Sequence, residues 1–373
     1  MGGWFGTGGP ALQTSRGLFG KMKTKDKRVT VKRINLALQG GGAHGAFTWG
    51  VLDRLLEEER LEIAAISGTS AGALNGAALK AGMISGGRDG ARENLDWLWH
   101  QVAKVQDLRM PAWMNASLPD PAFVSQSLTY SLPFQLADAW SRTVSPYALG
   151  PLYSNPLGPI VERFDYGRVC AKTGPALHIC ATNVRSGKVR VFSGDDISPE
   201  AVMASACLPT LFQAVEVTDP GTGQVEAYWD GGYTGNPALF PLYAADLPRD
   251  ILVVNINPLV RDKVPVSPAE IQNRINEISF NSSLLRELRA VSFVQRLLAE
   301  GTMSEGAMKD VLVHMIADDD LMNDLSVATK TVPLASVISQ LRDAGRRGAS
   351  AFLERHWDDL NNRQSADLAD MFS

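Results

Sequence analysis

Cysteine is scarce in this chain of 373 residues, which contains only Cys170, Cys180 and Cys207. No two of them form a C-x-x-C pair, and an odd number fits a reducing compartment better than a disulfide framework. Long apolar runs are also missing, since no stretch reaches the roughly 18–20 apolar residues of a membrane span. The first 33 residues lack the apolar core of a signal peptide. We therefore expect a cytoplasmic protein, with peripheral attachment to a membrane as an open alternative.

Neither sign of charge is in large excess, because the formal net charge is −4 at pH 7. This balance gives no signature of polyanion binding, so nucleic acid is not expected as a partner. A local basic stretch does precede residue 34, with Lys21, Lys23, Lys25, Lys27, Arg28, Lys32 and Arg33. Residues 1–33 are interpreted as a flexible, solvated basic arm, and attraction to anionic lipid is the alternative.

The start of the folded part alternates strand and helix patterns. Ile34, Leu36 and Leu38 alternate with small or polar residues, which predicts a short strand. An amphipathic helix then follows through residue 56, a second buried strand at 61–66, and a helix of small residues at 71–81. This order predicts an α/β fold with a mostly parallel, helix-covered sheet.

Further strands are predicted at 178–182, 189–192, 227–229, 251–255 and 311–316, a long helix at 268–300, and a helix pair at 333–344 and 347–357. Between about 104 and 159 prolines and aromatic residues interrupt the pattern, which indicates an inserted region of loops and short helices. This region is either a lid over a binding site or ordinary packing over the sheet. The predicted organisation is a catalytic domain at 34–260 and a mostly helical part at 261–373 packed on the same domain.

Three glycines separate the first strand from its helix, and residues 40–45 read GGGAHG. This sequence matches the G-x-G-x-x-G pattern of dinucleotide sites, which also need an acidic residue near the end of the second strand. That strand ends in Ile66, Ser67 and Gly68, without a carboxylate. The missing acid argues against a nucleotide site.

The second strand leads instead into the sequence GTSAG at residues 68–72. A G-x-S-x-G motif between a strand and a helix is typical of a nucleophile elbow. Gly68 and Gly72 remove side chains that would clash at the sharp turn, and Ser70 projects at the positive end of the helix dipole. The alternative is that Ser70 only caps the helix that follows.

Both turns follow neighbouring strands, so we expect them side by side at the carboxyl edge of the sheet, where ligands of open α/β sheets bind. Attack by Ser70 on an ester would create an oxyanion that needs preorganised N–H donors. The amides of Gly41 and Gly42 are the candidate donors, with Ala71 as a further one. Bare glycine backbone would let the reacting oxygen approach.

A serine needs a base, and a Ser–His–Asp triad is the familiar arrangement. The chain has five histidines, but another motif stands out: Asp230, Gly231 and Gly232 follow a predicted strand. By itself an Asp-Gly-Gly sequence is usually only a turn.

Four ordered motifs together resemble the patatin-like phospholipase family over roughly residues 34–257. They are residues 40–45, residues 68–72, the segment ASACLP at 204–209, and residues 230–232. The resemblance implies a patatin-like three-layer α/β/α fold with a mostly parallel central sheet and an inserted loop and helix region. It also implies a lipid or other ester substrate, which a membrane surface could present, and no metal or cofactor.

The resemblance implies a catalytic dyad of Ser70 and Asp230 without a catalytic histidine. It places Gly40, Gly41 and Gly42 in the oxyanion loop, while Gly45, Gly68, Gly72, Gly231 and Gly232 support the motifs. The expected chemistry is lipid acyl hydrolysis through an acyl-serine. Alternatives are a Ser–His–Asp triad esterase, a polyhydroxyalkanoate depolymerase, or a non-catalytic lipid-binding module. The oligomeric state stays open.

Two histidines qualify this interpretation. His44 occupies a position where the family often has Arg or Lys, and it either holds the glycine loop by hydrogen bonding or takes part in proton transfer. His314 lies at a strand end and is the best candidate for a hidden triad member, with a structural role as the alternative.

Overall fold

A computed structural model describes residues 1–2, 31–105, 120–220, 222–304 and 306–372, and the residues from 31 onward within these ranges form the fold. The basic stretch from Lys21 to Arg28 and the aromatic residue Trp113 lie outside the described residues. Lys32 and Arg33, assigned to the arm from the sequence, instead begin the first strand.

The described residues form an eight-stranded sheet. Its strands are β1 (Lys32–Leu38), β2 (Leu61–Thr69), β3 (Ala176–Asn183), β4 (Val189–Ser193), β5 (Val215–Thr218), β6 (Val225–Asp230), β7 (Asp250–Val254) and β8 (Leu312–Ile316). The strand order is β5-β6-β3-β2-β1-β7-β8, with β4 paired to β3. The pairs among β3, β2, β1, β7 and β8 are parallel, and those of β4, β5 and β6 are antiparallel. The sheet is mostly parallel, as the sequence predicted.

Twelve α-helices accompany the sheet in the described part of the chain. They are α1 (Gly45–Leu55), α2 (Ala71–Lys104), α3 (Pro121–Thr129), α4 (Leu132–Thr143), α5 (Gly158–Val161), α6 (Tyr166–Val169), α7 (Pro199–Ser205), α8 (Pro268–Ala299), α9 (Asp319–Asp324), α10 (Val327–Thr331), α11 (Ala335–His356) and α12 (Leu368–Met371). The long helix α2 is interrupted at Gly86 and Gly87, whose dihedral angles are not helical.

Helices cover both faces of the sheet. Alternate residues of β7 point to opposite sides, so Leu252 and Val254 join a core with α1, α2, α7 and α11. Ile251 and Val253 join the second core, which contains buried residues of α8 and α12. Strands buried on both faces are typical of parallel sheets covered by helices. The architecture is the three-layer α/β/α arrangement expected from the sequence.

The C-terminal helix pair predicted at 333–344 and 347–357 was wrong, because one continuous helix, α11, spans these residues. Gly345 favoured a break in the sequence pattern, since glycine weakens helices. In the structure, a Cβ atom on Gly345 would lie 2.0 Å from the carbonyl oxygen of Phe47 in α1. The missing side chain lets α11 pack directly against α1, and this contact offsets the low helix propensity.

The inserted region is described from residue 120. Here α3 and α4 each begin with a proline in the first turn and a capping side chain, from Asp120 and Ser131 respectively. Helix α4 has no buried residue. Exposed apolar side chains on the two helices are Phe123, Leu132, Leu136 and Trp140.

Candidate active site

Ser70 stands at a sharp turn between β2 and α2. Its backbone has φ 54° and ψ −119°, a conformation that costs free energy for a residue other than glycine. Both flanking glycines are needed for packing. A Cβ atom on Gly68 would lie 2.5 Å from the carbonyl oxygen of Gly72, and one on Gly72 would lie 2.1 Å from that of Leu38. The local geometry is a sharp strand-to-helix turn with a positive-φ serine between two closely packed glycines, the arrangement that a nucleophile elbow requires.

The strained turn is held by Ser205, at the end of α7. The Ser70 amide donates a hydrogen bond to the Ser205 hydroxyl at 2.8 Å, and that hydroxyl donates to the carbonyl oxygen of Cys180 at 2.6 Å. Ser205 was recognised in the sequence only as part of the 204–209 motif and was given no role. No local pattern indicated this contact, because it joins residues 135 positions apart.

Strand β3 brings Asp230 to Ser70. Thr69 at the end of β2 is the register partner of Cys180, and Asp230 at the end of β6 is the partner of Ala181. Because β4 occupies one edge of β3 along residues 178–182, and a strand has only two edges, β2 and β6 share the other. They run toward each other, so their ends meet.

The Asp230 carboxyl group is nearly inaccessible to water, with the residue 1% exposed. Burial raises its pKa to about 7, although a hydrogen bond from the Gly232 amide and the nearby Ser70 side chain oppose this shift. The Gly232 amide donates to the carboxylate at 2.7 Å, and the Ser70 side chain is near enough to the carboxyl group to lower its pKa. A carboxyl group with this pKa exchanges its proton near neutral pH.

The three residues of the predicted oxyanion loop differ in what their amides do. The Gly40 amide donates to the Asn236 side-chain oxygen at 2.7 Å, so Gly40 is a poor candidate for an oxyanion donor and instead anchors the loop. No hydrogen bond from the amides of Gly41, Gly42 or Ala71 is found within the described ranges. These three amides therefore remain the candidates to receive a negatively charged oxygen.

Close packing keeps the loop beside the elbow. A Cβ atom on Gly40 would lie 2.7 Å from the Cβ of Ser70, and one on Gly45 would lie 2.5 Å from the Cβ of Ala71. Side chains larger than hydrogen at these glycines would push the loop away from Ser70. Gly231 is restricted in the same way, since its Cβ would lie 2.2 Å from the Cys180 carbonyl oxygen.

A buried network of amide side chains holds the predicted oxyanion loop in place. The Asn257 side chain donates to the Gly40 carbonyl oxygen at 2.8 Å and to the Gln39 side-chain oxygen at 3.2 Å. Gln39 donates in turn to Asn281 of α8 at 3.1 Å. Gln39, Asn257 and Asn281 were missed in the sequence. Their signal was weak, since polar residues at strand ends and in a long helix normally face solvent.

None of the five histidines is hydrogen-bonded to the candidate dyad in the described structure. His44 lies against Thr329, with Nε2 and the hydroxyl oxygen 2.8 Å apart. His314 lies between Asp250 and Ser365, at 3.0 Å from each. No hydrogen bond from these two histidines or from His100, His178 or His356 to Ser70 or Asp230 occurs in the described structure.

His314 is fully buried, and its partner Asp250 begins β7, at the opposite edge of the sheet from the loop that follows β1. The Asp250 carboxylate also accepts hydrogen bonds from the amide and the side chain of Asn361, at 2.6 and 2.9 Å. Both ring nitrogens of His314 are engaged, by Ser365 and Asp250, which argues against a place in a triad and supports the structural alternative.

A groove of about 610 Å³ lies between α3, α4, residues 261–273 and residues 323–328. Tyr130 and Phe134 line it, and neither Ser70 nor Asp230 does. No cluster of three or more His, Cys, Asp and Glu residues suited to a metal ion is found in the described ranges. Within the same ranges, no helix is both long and apolar enough to cross a bilayer.

Comparison with known families identifies the family to which the chain belongs. A family model described as patatin-like phospholipase matches residues 36–246, which is more than half of the chain. The chain belongs to the patatin-like phospholipase family. The matched range contains all four motifs that carried the resemblance, and it ends before β7 and the helices α8 to α12.

Solved structures that resemble the chain have low sequence identity to it. VipD from Legionella pneumophila is 16% identical over 87% of this chain and 67% of its own, with a TM-score of 0.40. Two structures of ExoU with SpcU, from the type III secretion system of Pseudomonas aeruginosa, match at 16% and 18% identity with TM-scores of 0.30 and 0.29. These matches cover 87% and 88% of this chain and 53% and 61% of those chains. No curated protein sequence matches the chain significantly.

Proposed function

We propose that this protein is a lipid acyl hydrolase that cleaves carboxylic esters through a dyad of Ser70 and Asp230. The observation that carries the proposal is the juxtaposition of a strained, elbow-mounted serine with a buried carboxyl group whose pKa is raised to about 7. Membership of the patatin-like phospholipase family supports a lipid as the substrate.

In the first half of the reaction, Ser70 attacks the ester carbonyl carbon while Asp230 accepts the hydroxyl proton. The carbonyl oxygen becomes an oxyanion beside the amides of Gly41, Gly42 and Ala71. The tetrahedral intermediate collapses, the bond to the alcohol breaks, and Asp230 returns the proton to the leaving alkoxide. The products are an alcohol or lysophospholipid and an acyl-serine.

In the second half, water attacks the acyl-serine, and Asp230 accepts its proton. The second tetrahedral intermediate releases the fatty acid, and the proton returns to Ser70. Asp230 is better suited to this role than an ordinary carboxylate, because a base is most effective when its pKa lies near the working pH. Burial supplies that shift without a second charged group.

The histidine contacts bear on the triad alternative. A Ser–His–Asp triad needs an imidazole within hydrogen-bonding distance of the serine. His44 and His314 are bonded elsewhere, which favours the dyad over a triad esterase. Two alternatives remain to be separated from a lipid hydrolase by experiment. One is a polyester depolymerase that uses the same dyad, and the other is a non-catalytic lipid-binding module.

The test compares hydrolysis of phospholipid, triacylglycerol, a short-chain nitrophenyl ester and a hydroxyalkanoate polymer, with Ser70→Ala as the blank and the exposed Ser193→Ala as matched control. We expect release of fatty acid from at least one lipid, and labelling of Ser70 by a fluorophosphonate probe in the wild type and in Ser193→Ala. If Ser70 is labelled but only the polymer is hydrolysed, the substrate is a polyester and not a lipid. If there is neither labelling nor hydrolysis, the protein is a binding module and not an enzyme.

A further inference from the structure

The short helix α10 contacts the oxyanion loop at three points, although nearly 290 residues separate them in the chain. The first contact is between backbones. Gly42 has φ +58°, and a Cβ atom there would lie 2.3 Å from the carbonyl oxygen of Lys330. Only glycine fits, both because of the left-handed φ and because α10 closes the space above it.

The second contact joins His44 to Thr329. The Thr329 hydroxyl lies 2.9 Å from the Ser326 carbonyl oxygen; with its proton in that bond, the contact with His44 uses a proton on His44 Nε2. His44 Nδ1 is buried and has no partner in the described structure. Burial, together with the charge of Lys330, lowers the pKa of His44 well below its usual value. The imidazole is therefore neutral and acts as a single-donor tether.

The third contact runs through Asn257. The Lys330 ammonium group donates to the Asn257 side-chain oxygen at 3.0 Å, and the Asn257 amide nitrogen donates to the Gly40 carbonyl oxygen at 2.8 Å. This arrangement fixes the orientation of the Asn257 amide, because its oxygen is taken by a cation and its nitrogen by the loop.

Helix α10 is itself held in place from the opposite side. The Ser326 hydroxyl, at its N-cap, lies 3.0 Å from that of Ser125 and 2.9 Å from that of Thr129, both on α3. Ser125 is 2% exposed, and the three hydroxyl residues lie together at the wall of the groove between α3 and α4. A five-residue helix would be unstable alone, but here it is fixed between α3 and the oxyanion loop.

We propose that Thr329 and Lys330 are positioning residues for the oxyanion loop, so that the C-terminal part of the chain completes the active site. Both lie beyond the matched range 36–246. They touch no reacting atom. They act by holding Gly40, Gly42 and His44, and with them the amides of Gly41 and Gly42. The inference rests on the proposed hydrolase function.

The experiment breaks the His44–Thr329 bond from each side in the full-length protein. Thr329→Val keeps the shape but removes the hydroxyl, and His44→Phe removes the donor without touching α10. His44→Gln keeps an N–H donor and is the conservative rescue. Thr331→Val is the matched control, because the Thr331 hydroxyl bonds only within α10, to the carbonyl oxygens of Val327 and Ala328, among its hydrogen bonds in the described structure.

The readouts are kcat and KM on a soluble nitrophenyl ester, the rate of fluorophosphonate labelling, and Tm. We expect Thr329→Val and His44→Phe to lower kcat by about 10- to 100-fold, with KM changed less than about threefold. Complete loss of one oxyanion donor lowers the rate by ~10²–10³, and a misplaced donor should cost at most that much. The double variant should be no slower than the slower single variant, because the two substitutions remove the same hydrogen bond. His44→Gln should recover most of kcat, and Thr331→Val should keep it.

The outcomes separate the inference from the function it rests on. If His44→Phe and Thr329→Val keep kcat within about twofold of the wild type, the positioning role is wrong and the hydrolase remains. If Thr329→Val does not fold, the comparison of His44→Phe with His44→Gln decides alone, and equal kcat for the two overturns the proposal. If the wild type neither hydrolyses the ester nor is labelled at Ser70, the function fails and the inference fails with it.

Discussion

Asp230 and Asp250 are both 1% exposed and both adjoin strands of the same sheet, yet their pKa values shift in opposite directions. Burial raises the pKa of Asp230 to about 7, because only the Gly232 amide and Ser70 oppose it. Burial would also raise the pKa of Asp250, but hydrogen bonds from His314 and Asn361 outweigh it, and the net shift is downward.

The difference between the two regions lies in the partners rather than in the burial. The Asp250 region satisfies its carboxylate with an imidazole and two donors of Asn361, and it joins β7, β8 and the chain near residue 361. The Asp230 region leaves a carboxylate with few donors beside a hydroxyl. A fully satisfied buried carboxylate stabilises the fold, whereas a poorly satisfied one is available to accept a proton.

The largest expected effect is a difference in kcat between substitutions of the two aspartates. Asp230→Asn should lower kcat on a nitrophenyl ester by about 10²–10⁴-fold, because it removes the proposed general base. Asp250→Asn should leave kcat of the folded protein within about twofold. Steady-state kinetics on samples of verified fold measure both. Equal losses would mean that the distinction between the two regions is wrong.

The second test uses stability. His314→Ala removes one partner of a buried pair and should lower the free energy of unfolding by about 3 kcal/mol, measured by urea denaturation at pH 7. Its kcat should match the wild type, with Ser70→Ala as the inactive reference. A loss of turnover as large as that of Ser70→Ala would contradict the dyad.

The pKa of Asp230 sets the third expectation. A base must be deprotonated, so kcat/KM should rise about tenfold between pH 6 and pH 8, with a midpoint near 7. The control is His44→Gln: the profile should keep its midpoint, because the pKa of His44 lies well below 6.5. A midpoint near pH 4 would mean that the base has an ordinary carboxyl pKa, and it would contradict the raised pKa of Asp230.

The smallest expected effect is a gain in stability. The raised pKa means that folded Asp230 binds a proton that the unfolded chain has released between about pH 4 and pH 7. Stability therefore falls as pH rises through this window. Asp230→Asn should increase the free energy of unfolding at pH 8 by on the order of 1 kcal/mol, and by less at pH 5.

The same comparison in acid has the opposite sign for Asp250. Its pKa is lowered on folding, so its contribution is present above the ordinary carboxyl range and is lost as pH falls below about 4. The stability difference between wild type and Asp250→Asn should shrink there. A pH-independent difference would show that the ionised carboxylate is not what stabilises the Asp250 region.

Much of the fold could be predicted from the sequence because the patterns are local. Alternation predicted β1, helical periodicity predicted α8, and the two glycine turns were correctly placed between strands and helices. Strand β5 was missed, since Val215–Thr218 spans only four residues and none is buried. The single helix α11 was split in the prediction because Gly345 fits only when its contact with α1 is known.

The order of motifs along the sequence determined the family and the candidate pair Ser70 and Asp230. Tertiary structure alone decided how that pair meets, through two strands ending at adjacent residues of β3. It also gave Ser205, Asn257 and Thr329 their contacts. The physical reason is range: backbone preference and hydrophobic period act over a few neighbours, whereas burial and hydrogen-bond partners depend on segments hundreds of residues apart.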